Sequence, residues 1–437
     1  MDTNRITLPL EMQELVITAL YSSVYTHPSE MLLDGTGDFR SLNGCTFVSR
    51  AFLRICRRLR FASLQINQAP DIPSQTSSKF VQVLEDPPKN LLEGIPSIGS
   101  YVRSLNLSIT GSDVTHYQEE LSEALHKIPQ LQSLALSYVG MDHTTIDWDV
   151  FQFQALGDAI LSLLRLSTFR TLVLGKYMTK FPVSALRGTS VKALMVQGTS
   201  FSCHKVSDSE LSDTEEGEEE EKEEETKEGA PPHLEELHAI SLCGHGITSL
   251  IFPKEDPWLD ITRLKTLTMT LQASPDSEAA AQQVFSCMKS PHRLNLVCQS
   301  KTFKGLFDNI SSCLDTLSEL RLTVSTNPFP LPTTYCLEEQ LSYLNAELRS
   351  LRDAPVNNIK NILLTFINLT FDDAEALRTS KEWETLDQSL VPSEDRGSWG
   401  SLKGVFFLAV GCGVKAEDFK KLSSCEQIIF QMHCGIE

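Results

Sequence analysis

The chain has 437 residues, 41% hydrophobic and 22% charged, a make-up that fits a soluble globular protein of two or three domains or one long repeat array. Its formal net charge of −19 is concentrated in SDSELSDTEEGEEEEKEEETKE, residues 207–228, so the remainder is only mildly acidic. The 11 cysteines are scattered without a CxxC, and there is neither a signal-peptide pattern nor an apolar run long enough to span a bilayer; this argues against disulfide frameworks, zinc modules and membrane segments and predicts a protein of the cytoplasm or nucleus.

The first predicted element is a helix in TLPLEMQELVITALYSS, where Met12, Leu15, Val16, Ala19 and Leu20 recur at helical spacing. Pro9 suits the first turn because it has no N–H to leave unpaired, and Glu11 complements the positive end of the dipole. Leu8 precedes the helix and is free to contact something else.

The second is CTFVSRAFLRICRRLRF, residues 45–61, with five arginines. Phe47, Val48, Ala51, Phe52, Ile55, Cys56 and Leu59 form one apolar stripe, while Arg50, Arg54 and Arg58, with Arg57 beside them, are predicted on the opposite, solvated face. A groove-reading helix would add Asn or Gln and a supporting architecture, so no nucleic-acid partner is expected.

Two such helices bury too little surface to stand alone. The Leu-Pro start, followed by Leu42, Cys45, Val48, Ser49, Arg50 and Phe52 and then Arg-Leu-Arg-Phe, resembles an F-box over residues 6 to about 66, with the spacer VYTHPSEMLLDGTGDFR longer than that family usually has. The resemblance implies a helical module, residues 1–67, docking the Skp-type adaptor of a cullin-RING ubiquitin ligase through Leu8, Pro9, Leu15, Leu42, Val48 and Phe52. For each of these residues the alternative is plain intramolecular core.

Residues 68–99 read as a Pro-rich linker. From residue 100 onward a template with apolar residues at positions 1, 4 and 6 recurs: VRSLNL (102), LQSLAL (131), FRTLVL (169), VKALMV (191), LEELHA (234), ITSLIF (247), LKTLTM (264), LSELRL (317), IKNILL (359), LKGVFF (402) and CEQIIF (425), with HRLNLV as a degenerate copy. The 234 and 247 copies lie too close together for each to carry a helix. Helical stretches precede several others: YQEELSEALHKIP, FQALGDAILSLLRLS, DSEAAAQQVFSCM, FKGLFDNISSCLD and YCLEEQLSYLNAELRSLR. Strands alternating with helices predict an α/β fold, in which parallel strands backed by helices make an irregular leucine-rich-repeat-like solenoid over residues 100–437. At this level the chain resembles fungal F-box proteins with divergent leucine-rich repeats.

Residues 203–232 interrupt the array as a predicted disordered acidic loop, since such charge density cannot bury apolar surface. Within it, Ser207 and Ser212 each have an acid three residues on and are candidate phosphorylation sites for acidophilic kinases.

No nucleophile elbow, P-loop, zincin or dinucleotide motif occurs, and His245 and Cys412 read as turn residues, so no enzymatic activity, cofactor or metal is expected. Binding is the default. The residue between template positions 4 and 6 is predicted to face a partner: Asn106, Ala135, Val173, Met195, Thr268, Arg321, Leu363, Phe406 and Ile429. Arg321, Leu363, Phe406 and Ile429 are the candidate substrate contacts, unless SLVPSEDRGSWGS covers the apolar three. The sequence thus predicts a non-catalytic substrate receptor of the ligase with an unknown protein target; the alternative is a repeat scaffold whose N-terminal helices cap the solenoid.

Overall fold

The structure, a computed structural model, describes residues 50–66, 97–109, 118–138, 146–148, 154–175, 178–197, 201–202, 229–240, 244–251, 257–271, 275–299, 305–325, 337–369, 381–390, 401–411 and 428–430, together with Met12 and Leu84. Apart from these two residues, the first predicted helix and the linker before residue 97 lie outside it, as does the acidic run. The chain divides into two compact units, Met1–Phe181 with Thr189–Val191, and Pro182–Gly188 with Lys192–Glu437.

In the first unit, α1 (Arg50–Phe61) leads into β1 (Ser63–Ile66), followed by β2 (Ser104–Ile109), α2 (Gln118–His126), β3 (Ser133–Tyr138), β4 (Ile146–Asp147), α3 (Gln154–Leu164), β5 (Thr171–Leu174) and β6 (Met178–Thr179). Strands β1, β2, β3 and β5 pair in that order, all parallel. Parallel neighbours consecutive in the chain need a crossover connection, which α2 and α3 supply. Each helix buries one stripe: Leu121, Ala124 and Leu125 on α2, and Leu156, Ala159, Ile160, Leu163 and Leu164 on α3. The Ser122 hydroxyl ties the two together by donating to the Ala155 carbonyl at 2.8 Å.

On α1, Ile55 and Cys56 are buried while Arg54, Arg58 and Arg60 are exposed, as an amphipathic helix requires. Arg57 corrects the sequence reading. It is 7% exposed, and its guanidinium lies 5.9 Å above the ring of Tyr101. The covering turn, Ile98–Tyr101, is remote in sequence, so the helical period alone could not place Arg57.

A second difference is the segment FASLQI, residues 61–66, which sequence reading left inside the N-terminal module. Its strand pairs in register with β2, Leu64 opposite Leu105 and Ile66 opposite Leu107. The Ala62 carbonyl accepts two N–H groups, from Arg103 at 2.8 Å and Ser104 at 2.9 Å. That paired bond recurs at each next rung: Arg103 O takes the N–H groups of Gln132 and Ser133, and Gln132 O those of Arg170 and Thr171.

The second unit continues the pattern. After β7 (Phe181–Pro182), where the division between the units falls in the sequence, come β8 (Ala193–Gln197), β9 (Phe201–Ser202), β10 (Glu236–Ile240), α4 (Gly244–Ile251), β11 (Thr266–Leu271), α5 (Pro275–Cys287), β12 (Arg293–Gln299), α6 (Leu306–Ile310), β13 (Glu319–Ser325), α7 (Leu337–Arg352), β14 (Asn361–Leu369), α8 (Lys381–Leu390), β15 (Gly404–Gly411) and β16 (Ile428–Phe430). Strands β8 and β10 through β16 form one open parallel ladder in chain order. Here too one carbonyl per rung takes two N–H groups, Lys192 O from Glu235 and Glu236, Lys265 O from His292 and Arg293, and Lys360 O from Lys403 and Gly404 among them. The protein is therefore α/β, built on parallel strands whose sheet does not close.

Template positions 1, 4 and 6 form the interior. Leu264, Leu267 and Met269, then Leu317, Leu320 and Leu322, then Ile359, Ile362 and Leu364 are each at most 1% exposed, and burial stabilises such side chains by about 1.5–3 kcal/mol apiece. PHRLNL is a full rung, not a degenerate copy: Pro291 is buried at position 1, with Leu294 and Leu296 at positions 4 and 6. Residues 247–251 of the ITSLIF copy do not form a strand. They lie in α4, where Ile247, Leu250 and Ile251 are buried at i, i+3 and i+4, and His245 sits in the first turn of that helix. The last helix, α8, was not foreseen; it packs on α7, where the Asn345 amide donates to the Glu382 backbone carbonyl at 2.8 Å and to its carboxylate at 2.9 Å. No helix among the described residues is long and apolar enough to cross a membrane.

Candidate functional site

Alternation along a strand sends template positions 4 and 6 into the core and positions 3, 5 and 7 to the other face. In the first unit, position 5 is the in-register row Gln65, Asn106, Ala135 and Val173. Position 3 carries Ser63, Ser104, Ser133 and Thr171, and at position 7 the hydroxyls of Ser108 and Ser137 lie 3.1 Å apart. These outward residues are uncharged.

In the second unit, position 5 runs Met195, His238, Thr268, Asn295, Arg321, Leu363, Phe406 and Ile429, each opposite the next. The four residues singled out from sequence, Arg321, Leu363, Phe406 and Ile429, thus fall on adjacent strands; the side chains of the first three are half-buried. Sequence reasoning missed Asn295, because HRLNLV was counted from the wrong residue, and His238. Both were readable once the template was applied from Pro291 and Leu234.

Thr268 corrects an expectation: it is 3% exposed. Its short side chain is engaged by the neighbouring strand, with His238 Nδ1 2.7 Å from Thr268 Oγ1. Burial lowers the His238 pKa from its ordinary value, and Glu236, 3.8 Å from Nε2, opposes this only in part. Burial therefore favours the uncharged imidazole.

The charged centre of the face is a triad. Glu319 Oε2 is 2.6 Å from Arg293 Nε, and its Oε1 is 2.6 Å from both Nε and Nη2 of Arg321. Two guanidiniums share one carboxylate, so the triad carries an excess positive charge. Beside it lies an apolar step. A Cβ placed on Gly404 would come 3.2 Å from Cε2 and 3.3 Å from Cζ of Phe406, so the aromatic ring lies across the glycine and presents a side to the partner face.

At the strand entrances, Glu235 is held 2.6 Å from both Lys192 and Lys265. Their ammonium groups donate to its carboxylate and hold its pKa down at about 2. These contacts are exposed and join neighbouring rungs.

Of the predicted adaptor contacts, Phe52 is half-buried on α1; Leu8, Pro9, Leu15, Leu42 and Val48 lie outside the described residues, as do Ser207, Ser212 and Cys412. Among the described residues no group of three or more His, Cys, Asp or Glu is placed to hold a metal ion, and Cys56, Cys287, Cys298 and Cys313 are free thiols. The face sets fixed charges beside an apolar step. No protein-family model matches the chain, and no curated protein is significantly similar to it.

Proposed function

We propose that the protein is a non-catalytic substrate-recognition subunit of a cullin-RING ubiquitin ligase, with residues 6–61 docking the Skp-type adaptor and a leucine-rich-repeat-like strand face holding a protein target. The observation that carries the target half is the in-register row Arg321, Leu363, Phe406 and Ile429 on one face of a parallel ladder. Repeat arrays bind on such surfaces because each rung contributes side chains at a fixed spacing. The adaptor half rests on Leu8, Pro9, Leu42, Val48 and Phe52 in F-box order, and holding a target near the transfer machinery is the means by which such a receptor accelerates modification.

The test is recovery of the Skp-type adaptor by the full chain and by a Leu8→Ala, Pro9→Ala double variant. Recovery by the parent and its loss in the variant supports the reading. Equal recovery, or none from either, removes it.

A second reading is favoured by one observation: α1 runs straight into β1, whose rung bonds are those of the rest of the ladder. In this reading the N-terminal segment is a cap for a protein-interaction scaffold with no ligase role. Deleting residues 1–61, which takes out α1 and leaves β1 in the ladder, separates the two. A docking module is dispensable to folding, whereas loss of a cap lowers the unfolding midpoint of the remaining chain.

A further inference from the structure

We infer that the face of β12–β15 receives an extended segment of a protein partner that carries an acidic side chain and, two residues along, a large apolar one. The inference deepens the target-binding half of the proposed function and rests on it.

Charge sets the first requirement. Glu319 is 19% exposed, against 47% for Arg293 and 40% for Arg321, so the carboxylate lies beneath two guanidiniums and fixes their orientation. An arginine has five N–H donors in a rigid fork. Glu319 takes one from Arg293 and two from Arg321, and the excess charge and remaining donors point to an anionic guest. A lysine in the partner would meet two like charges. An apolar group would strip water from guanidinium N–H groups without replacing it.

Spacing sets the second. Arg321, Leu363 and Phe406 stand on successive strands in register, and neighbouring strands are about 4.8 Å apart. From Arg321 to midway between Leu363 and Phe406 is therefore about 7 Å, and side chains two apart on an extended chain are separated by roughly the same distance. A segment crossing the strands with its acid over the guanidiniums sets its residue two positions on over the leucine and the ring. The ring is held low by Gly404, the one position-3 residue in this ladder with no side chain to lift it.

The test uses the purified full chain and fluorescence anisotropy with synthetic peptide pools of about a dozen residues, a length that spans a strand face. The central positions are fixed as Asp-x-Phe, Lys-x-Phe or Asp-x-Ala, and the rest are mixtures of Gly, Ser, Ala and Thr. The expected result is Asp-x-Phe binding about tenfold tighter than either other pool. Arg321→Glu removes the preference for Asp over Lys, and Arg321→Ala weakens it; the Arg321 side chain is 40% exposed, and unfolding midpoints verify that the fold is kept. Gly404→Ala displaces the ring and reduces the preference for Phe over Ala while leaving that for Asp. Equal binding of the Asp and Lys pools, no saturable binding by any pool, or an undiminished Asp preference in Arg321→Glu each overturns the inference. The readout involves no adaptor, so a failed adaptor recovery and a failed peptide preference are separate results.

Discussion

Glu347 Oε1 accepts the backbone N–H of Gly305 at 2.6 Å, and its Oε2 accepts that of Phe307 at 3.2 Å. A side chain from α7 thereby supplies the N-terminal cap that α6 lacks in its own sequence, since Gly305 has nothing to offer. Burial nevertheless pushes the carboxyl above its ordinary value of 4.5, outweighing these two bonds. As pH rises from that value, the unfolded chain gives up its proton first, so the folded state loses stability through the window between the ordinary and the raised pKa. Glu347→Gln abolishes this titration. Urea unfolding from mildly acid to neutral pH is expected to show the parent losing ground to the variant as pH rises; parallel profiles would show that the carboxyl does not titrate there.

Gly305 itself has φ +73, with no atom within 4 Å of the place a Cβ would take. Substitution costs backbone strain without a clash. Gly305→Ala is expected to lower stability by about 1 kcal/mol, and Gly305→Asn by less, because Asn tolerates the left-handed region. Urea midpoints for the two variants give the comparison, and an unperturbed alanine variant would contradict it.

Arg57 is buried against Tyr101 whereas Arg54, one helical turn earlier, is exposed. Arg57→Ala removes both the stem's packing and the ring contact, at a cost of about 2 kcal/mol, while Arg54→Ala costs under about 0.5 kcal/mol. Hydrogen exchange in α1 reports this locally: faster exchange is expected for the first variant alone. Equal exchange in both would mean that the ring contact is inconsequential.

Glu235 has a depressed pKa, about 2, set by its two lysines. The associated stabilisation is present above the ordinary value of 4.5 and is lost as pH falls from there towards 2. The site is partly exposed, so solvent screening keeps the contribution below about 1 kcal/mol. Glu235→Gln is expected to flatten that acid limb, and high salt to reproduce most of the effect in the parent. An acid limb unchanged by the substitution would assign it to other carboxylates.

The rungs were legible where a rule internal to the segment governs them. A strand covered on one face must bury alternate residues whatever its neighbours are, so Leu134 and Leu136, or Leu320 and Leu322, declare themselves. The helices α2, α3, α5, α6 and α7 were visible for the same reason, as local stripes. ITSLIF misled because template positions 1 and 4 are also i and i+3 of a helix; Ile247 and Leu250 satisfy both periods, and only packing decides. FASLQI escaped because it was counted within the N-terminal module and not tested against the strand template, and PHRLNL because a proline stood where an aliphatic was sought.

By itself the sequence determined the α/β class, the apolar stripe of α1 and the core-facing side of those strands whose template it counted in register, since these follow from the local spacing of apolar residues. Tertiary structure alone decided that Arg57 is covered, that Thr268 lies beneath a histidine, that Glu347 caps a helix far from it in the chain, and that Arg293, Glu319 and Arg321 form one cluster beside Leu363 and Phe406. Each depends on which rung becomes the neighbour and in what register, and that is set by rungs stacking across connections of unequal length, a relation no window of the chain contains.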